Sequence, residues 1–212
     1  MVLGLKYGDK SGGIVTSSAG AIHYQIEFSA FRQNNEEIAD IMEPLSRKIL
    51  LWQKLADPEK KINIFIKEIN AKASSFSIAD HASVRLVATY NNHNDKETLD
   101  SAIKEIAVKS SKNKIVVATK RTLSREPLHE TAQKVEAYTN ISQLASKIGL
   151  HIGKTHRSYS SNICFVPNEV LAFDGFGPLG GAPRSPQEYI IKDSIPDRAL
   201  LLAMILYGAG KK

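Results

Sequence analysis

The 212-residue chain has one cysteine, Cys164, so it holds no internal disulfide and no cysteine-rich metal site. It also lacks any apolar run near the ~20 residues that cross a bilayer. Its opening stretch, "MVLGLKYGDKSGG", turns polar too soon to hold the apolar core of a signal peptide. Provided the chain has not lost a true N-terminus, these absences predict a cytoplasmic protein with no membrane partner. Blocks of like charge are missing too. The formal net charge is +6, but the basic residues are spread through "RKILLWQK", "EKKINIFIK", "KSSKNK" and "ATKRTL", among acids. Nucleic-acid binders gather such residues on one element with aromatics interleaved, so solvated faces are the expected reading.

Catalytic signatures are equally scarce. The six histidines, His23, His81, His93, His129, His151 and His156, form no H-E-x-x-H or other i, i+4 pair. His81 reads as part of a turn, and His151 and His156 as surface or structural residues. Ser158, Ser160 and Ser161 in "RSYSSNICF" sit in no G-x-S-x-G elbow, and Cys164 reads as a small buried hydrophobe. No G-x-x-x-x-G-K-[ST] loop is present to cradle a phosphate.

What the chain does have is clear periodicity over about residues 20–123. "GAIHYQIEFSAF" alternates Ile22, Tyr24, Ile26 and Phe28 with polar residues, which predicts a half-buried strand. "PLSRKILLWQKLAD" carries Leu45, Ile49, Trp52 and Leu55 at helical spacing behind Pro44. Two more alternating runs follow, "KINIFIKEINAKA" and "ASVRLVATY". A second helix, "NDKETLDSAIKEIAVKSS", opens on an Asn94-x-x-Glu97 box, and "NKIVVATKRTL" is a fourth strand. The order β-α-β-β-α-β predicts a ferredoxin-like antiparallel sheet with both helices on one face.

The remainder has a different texture. "HETAQKVEAYTNISQLASKIGL" reads as a helix with Val135, Leu144, Ala145 and Ile148 on its apolar side, and "GKTHRSYSSNICF" and "EVLAFDGF" as short extended pieces. Next comes a loop rich in glycine and proline, "DGFGPLGGAPRSPQEYI", in which neither a regular strand nor a helix is expected. Ser194 and Pro196 open a last helix. These pieces are too few for a self-sufficient sheet, so further strands are expected within residues 1–19 or from another chain.

The Gly/Pro loop resembles the C-terminal signature D-G-x-G-P-x-G-G-x-x-H-S-P-x-E-Y of the di-zinc exopeptidases that include glutamate carboxypeptidases, aminoacylases and succinyl-diaminopimelate desuccinylases. Asp174, Gly175, Gly177, Pro178, Gly180, Gly181, Ser185, Pro186, Glu188 and Tyr189 carry the match. "FSIADHASVRLVATY" is similar to the family's N-V-V-P-D-x-A strand pair, with Phe76 and Ala79 at the Asn and Pro positions. "SNICF" is similar to S-D-x-N-F, with Asn162 for Asp and Cys164 for Asn. The resemblance implies an α/β (α+β) organisation. Residues 1–19 lead in from a catalytic-type domain, 20–123 form a ferredoxin-like lid that makes a homodimer contact, and 124–212 end the catalytic-type domain.

The departures decide the functional expectation. The family's zinc-ligating His corresponds to Arg184, which has no lone pair to donate and stays protonated. The family's substrate-binding lid His falls near Gln33, Asn34 and Asn35, and its N-terminal segment with most of the ligands and the general base has no counterpart. The expectation is a degenerate relative without catalytic residues, metal or cofactor, acting as a dimerising or ligand-binding module, so the balance is against an enzyme. Arg184, Ser185, Gly180, Gly181, Ser161 and Asn162 are its ligand-binding candidates. The alternative is part of an active zinc-dependent exopeptidase or amidohydrolase completed by an N-terminal segment. A basic nucleic-acid-binding ferredoxin-like domain comes third, with Phe65 as the one clear aromatic for the open sheet face.

Overall fold

The computed structural model describes residues 1–8, 10–31, 38–74, 78–109, 114–167, 169–183 and 185–209. The chain divides into two compact units, Met1–Ser18 with Leu128–Lys212, and Ala19–Pro127. Two short strands of the first unit, β1 (Val2–Leu3) and β2 (Ile14–Ser18), open the chain.

The second unit follows as β3 (Gly20–Ala30), α1 (Met42–Gln53), β4 (Asn63–Lys72), β5 (His81–Tyr90), α2 (His93–Val108) and β6 (Ile115–Arg125). Its four strands form one sheet in the order β4-β5-β3-β6, with every neighbour antiparallel. That is the split βαβ arrangement. The period-2 alternation sends Ile22, Tyr24, Ile26 and Phe28 of β3 and Val84, Leu86, Ala88 and Tyr90 of β5 into the core. There they meet Leu45 and Trp52 of α1 and Leu99, Ile103 and Ala107 of α2. The Trp52 indole N–H donates to the Ile103 carbonyl at 3.1 Å, so the largest core ring leaves no donor unpaired.

Buried Lys48 of α1 donates through its Nζ to the Ile106 carbonyl at 2.8 Å and to that of Lys109. These are end carbonyls of α2, which has no basic residue in its last turn, and the Lys48 cation caps them. Burial lowers the Lys48 pKa below its usual value.

Two expectations need correction in this unit. The cap of α2 is Asn92, whose side chain accepts from the Asp95 N–H at 2.8 Å, so the helix starts two residues before the Asn94 box. Both stretches read Asn-x-x-acid, and the earlier one has the extended backbone a cap needs. His81 belongs to β5, where it pairs with Lys72 of β4 and Ser29 of β3, rather than to a turn.

The first unit resumes with α3 (Ala132–Ser146), β7 (Lys154–Arg157), a 3-10 turn at Asn162–Phe165, β8 (Ala172–Phe173), β9 (Gly180–Gly181), β10 (Tyr189–Ile190) and α4 (Ser194–Ala209). Among the described residues its sheets are all two-stranded. β1 pairs β8 and β2 pairs β7, both parallel, while β9 and β10 form an antiparallel hairpin. Residues 1–19 thus supply two strands. The core joins Ile14, Phe173 and Phe176 to Ile141 and Ala145 of α3 and Leu201 and Ile205 of α4.

Here too the sequence expectations shift. Val135 is exposed while Ile141 is buried. "SNICF" is a 3-10 turn instead of an extended piece, closed by Cys164 N–H to Ser161 O and Val166 N–H to Ile163 O. That turn buries Ile163 and leaves Cys164 only half-buried.

Candidate functional site

The Gly/Pro loop of the first unit is organised from its first residue. Asp174 is 1% exposed, and Arg157 Nη1 donates to its Oδ2 at 2.9 Å. The Ser161 hydroxyl donates to the same oxygen at 2.5 Å, and the Gly175 N–H donates to Oδ1 at 2.9 Å. Three donors thus satisfy one buried carboxylate, the condition under which a buried charge is tolerated.

Arg157 is held from its other side as well. Its Nη2 donates to the Tyr7 carbonyl at 2.8 Å, and its guanidinium lies 5.4 Å from the ring centroids of both Tyr7 and Tyr159. The two tyrosine hydroxyls bond each other at 2.8 Å. Burial first, and then the Tyr7 hydroxyl, push the Tyr159 pKa up to about 12.

Beyond Asp174 the chain needs its glycines. Gly175 has φ +85°, a left-handed conformation, and a Cβ on Gly180 would lie 2.3 Å from the Tyr189 carbonyl oxygen across the β9–β10 hairpin. Gly181 pairs with Tyr189 in that ladder, so the stretch read as wholly irregular contains a short strand pair. At the hairpin tip the Ser185 hydroxyl donates to the Ala182 carbonyl at 2.9 Å and accepts from the Gln187 N–H at 3.1 Å.

Of the six candidates, Gly180, Gly181 and Ser185 lie together in this hairpin. Ser161 is buried on Asp174 and faces no solvent, and Asn162 is exposed at the start of the 3-10 turn. Arg184 lies outside the described residues, as do Gln33, Asn34, Asn35 and Phe76. The Arg157–Asp174 pair and its two tyrosines were not read as a unit from the sequence. Their only signal was Asp174 at the head of the motif.

A second polar group in this unit joins the Thr16 hydroxyl to the Glu130 carboxylate, with Lys154 Nζ on the other Glu130 oxygen at 3.2 Å. The Thr16 bond is the main reason that Glu130 sits below its usual pKa. Among the described residues no three of His, Cys, Asp and Glu gather as a metal ion requires. The donor set present there does not fit a zinc pair, and no step is derived through one. In the second unit the open sheet face carries Phe65, 44% exposed, with Lys67 Nζ 4.9 Å from its ring centroid.

No family model matches the sequence, and no curated protein matches it significantly. Solved structures do match in fold. An amidase of the hydantoinase/carbamoylase family from Burkholderia vietnamiensis aligns with TM-score 0.71 at 14% identity, over 94% of this chain and 51% of that one. The aminopeptidase PepT from Bacillus cereus gives TM-score 0.71 at 14% identity, over 94% and 54%. A tripeptidase from Staphylococcus aureus gives 0.70 at 13% identity, over 96% and 54%. The chain thus spans about half the length of these neighbours, and over that half it has the mixed α/β fold of amidases and peptidases.

Proposed function

We propose that the chain is a lid-plus-C-terminal portion of an amidohydrolase- or peptidase-like protein that lacks a hydrolytic centre of its own and works as a dimerising or ligand-binding module. The observation that carries this is the chemistry of the loop. Its scaffold is built, from the Asp174 carboxylate to the β9–β10 hairpin, yet the residue at the family's ligand position in the sequence is Arg184. A guanidinium repels a cation and suits a bidentate carboxylate or phosphate.

Calorimetry with zinc, alongside assays for amino-acid release from N-acyl- and peptidyl-glutamate, tests the reading. The expected result is neither stoichiometric zinc binding nor turnover, and either one overturns it. Sedimentation tests the homodimer expected through the ferredoxin-like unit.

A second reading is favoured by the two-stranded parallel pairs β1–β8 and β2–β7. Parallel sheets are ordinarily wider and covered on both faces. On this reading a further polypeptide segment adds strands there and brings the missing ligands for an active zinc-dependent exopeptidase or amidohydrolase. Its test is co-expression with such a segment, followed by metal analysis.

A further inference from the structure

One end of the open sheet face in the second unit carries a small, largely apolar hollow of about 180 Å³, where Glu27, Ser29, Asn70, Lys72, His81 and Ser83 join Phe28 and Ala82 in the lining. Cross-strand register sets their order. Lys72 of β4 stands opposite His81 of β5, and His81 stands opposite Ser29 of β3. One row along, Asn70, Ser83 and Glu27 repeat the series. A cation therefore lies on the β4 side, a carboxylate on the β3 side, and an imidazole on the strand between.

Neither Lys72 nor Glu27 makes an ion pair with any described residue. The imidazole is not free to turn. Its Nδ1 lies 2.9 Å from Oδ1 of Asp80, a carboxylate only 4% exposed. Asp80 also accepts from the Ser74 N–H at 3.0 Å and from the Ser74 hydroxyl. An ionised Asp80 can only accept, so the Nδ1 atom carries a proton and Nε2 is the ring nitrogen left to face the hollow.

We propose that this hollow binds a small zwitterion, the free α-amino-acid class. Lys72, with the Ser83 hydroxyl, takes the carboxylate, and Glu27 and His81 Nε2 take the ammonium. The strands β4 and β3 are two sheet spacings apart, about 9.6 Å. Lys72 and Glu27 also stand one side-chain row apart, and both side chains are long enough to reach the two ends of one amino acid from either side of β5. A phosphate dianion would meet Glu27 at close range, and a bare amine would leave Lys72 unused. The volume excludes a folded peptide or nucleotide.

The test titrates the full-length protein with glycine and L-alanine, and separately with acetate, methylammonium and inorganic phosphate. It is read by calorimetry and by the NMR resonances of the His81 ring. The expected result is a saturable shift of that ring with both amino acids, with acetate and methylammonium each weaker by about fivefold or more. Lys72→Met and Glu27→Gln should each lower amino-acid affinity by about fivefold, while Lys72→Arg largely restores it. Both positions are exposed on their strands, and circular dichroism checks that the variants keep the sheet. An unshifted His81 ring, phosphate binding tighter than glycine, or affinities unchanged in both charge-removing variants would overturn the site. No zinc or hydrolysis enters the readout, so the result is independent of the loop in the first unit.

Discussion

The two units solve the problem of holding a sheet together in different ways. In Ala19–Pro127 one four-stranded ladder and one continuous apolar cluster carry the structure, with both helices packed on the same core. In the other unit no sheet among the described residues exceeds two strands, and polar anchors hold together what a ladder holds elsewhere. Its last helix is also apolar on a second side, where Ile195, Leu200, Leu206 and Tyr207 are exposed. A helix apolar all round is ordinarily buried. Residues held by a wide ladder tolerate loss of one contact, whereas residues held by a single buried carboxylate do not.

The largest expected effect breaks that carboxylate. Asp174→Ala strands the Arg157 guanidinium, 7% exposed, without its partner and should cost about 3–5 kcal/mol. The chain has one tryptophan, Trp52, and it lies in the other unit. Denaturant unfolding should therefore show an early loss of far-ultraviolet dichroism while the tryptophan fluorescence transition stays in place. If both transitions move together, the two units are not independent. The mirror experiment is Leu86→Ala in the ladder core, where deleting a fully buried side chain should cost about 3 kcal/mol. There the fluorescence transition should move to lower denaturant.

The same contrast explains what could be read in advance. Strands β3, β4, β5 and β6 are ten or eleven residues long, enough for a period of two to show. Strands β1, β8, β9 and β10 have two residues each and carry no period. The parallel pairing of Ile14 with Lys154 joins residues far apart in sequence, which no local pattern announces. The loop was legible as a motif because its glycines answer to close backbone approach. Its anchor was not, because Arg157 and Tyr7 meet Asp174 only through the tertiary fold. Val135 went wrong for the same reason: helical spacing allowed it on the apolar side, and the packing of α3 chose Ile141.

A smaller effect should be equal in the two units. Asn92 caps α2, accepting from the Asp95 N–H at 2.8 Å, and Thr131 caps α3, accepting from the Lys134 N–H at 3.3 Å. Asn92→Ala and Thr131→Ala should each cost about 1 kcal/mol. The first should appear in the fluorescence transition and the second only in dichroism. A cap whose loss appears in the wrong transition would show that the boundary between cooperative units lies elsewhere.

The subtlest difference concerns acid. The Ser74 hydroxyl, and then His81, hold the Asp80 pKa down to about 2, below its ordinary 3.8. A depressed carboxylate contributes stability that is complete above the unfolded value and is lost as pH falls through the folded one. The fluorescence midpoint of the ferredoxin-like unit should therefore decline between about pH 4 and pH 2. Asp80→Asn should lower that midpoint at neutral pH and flatten its acid decline. Glu68, Asp100 and Glu126 of the same unit are also held below their usual values, so part of the slope should remain. Equal slopes in the two proteins would mean that folding does not hold Asp80 below its ordinary value, and that its contacts with Ser74 and His81 contribute nothing to the acid response.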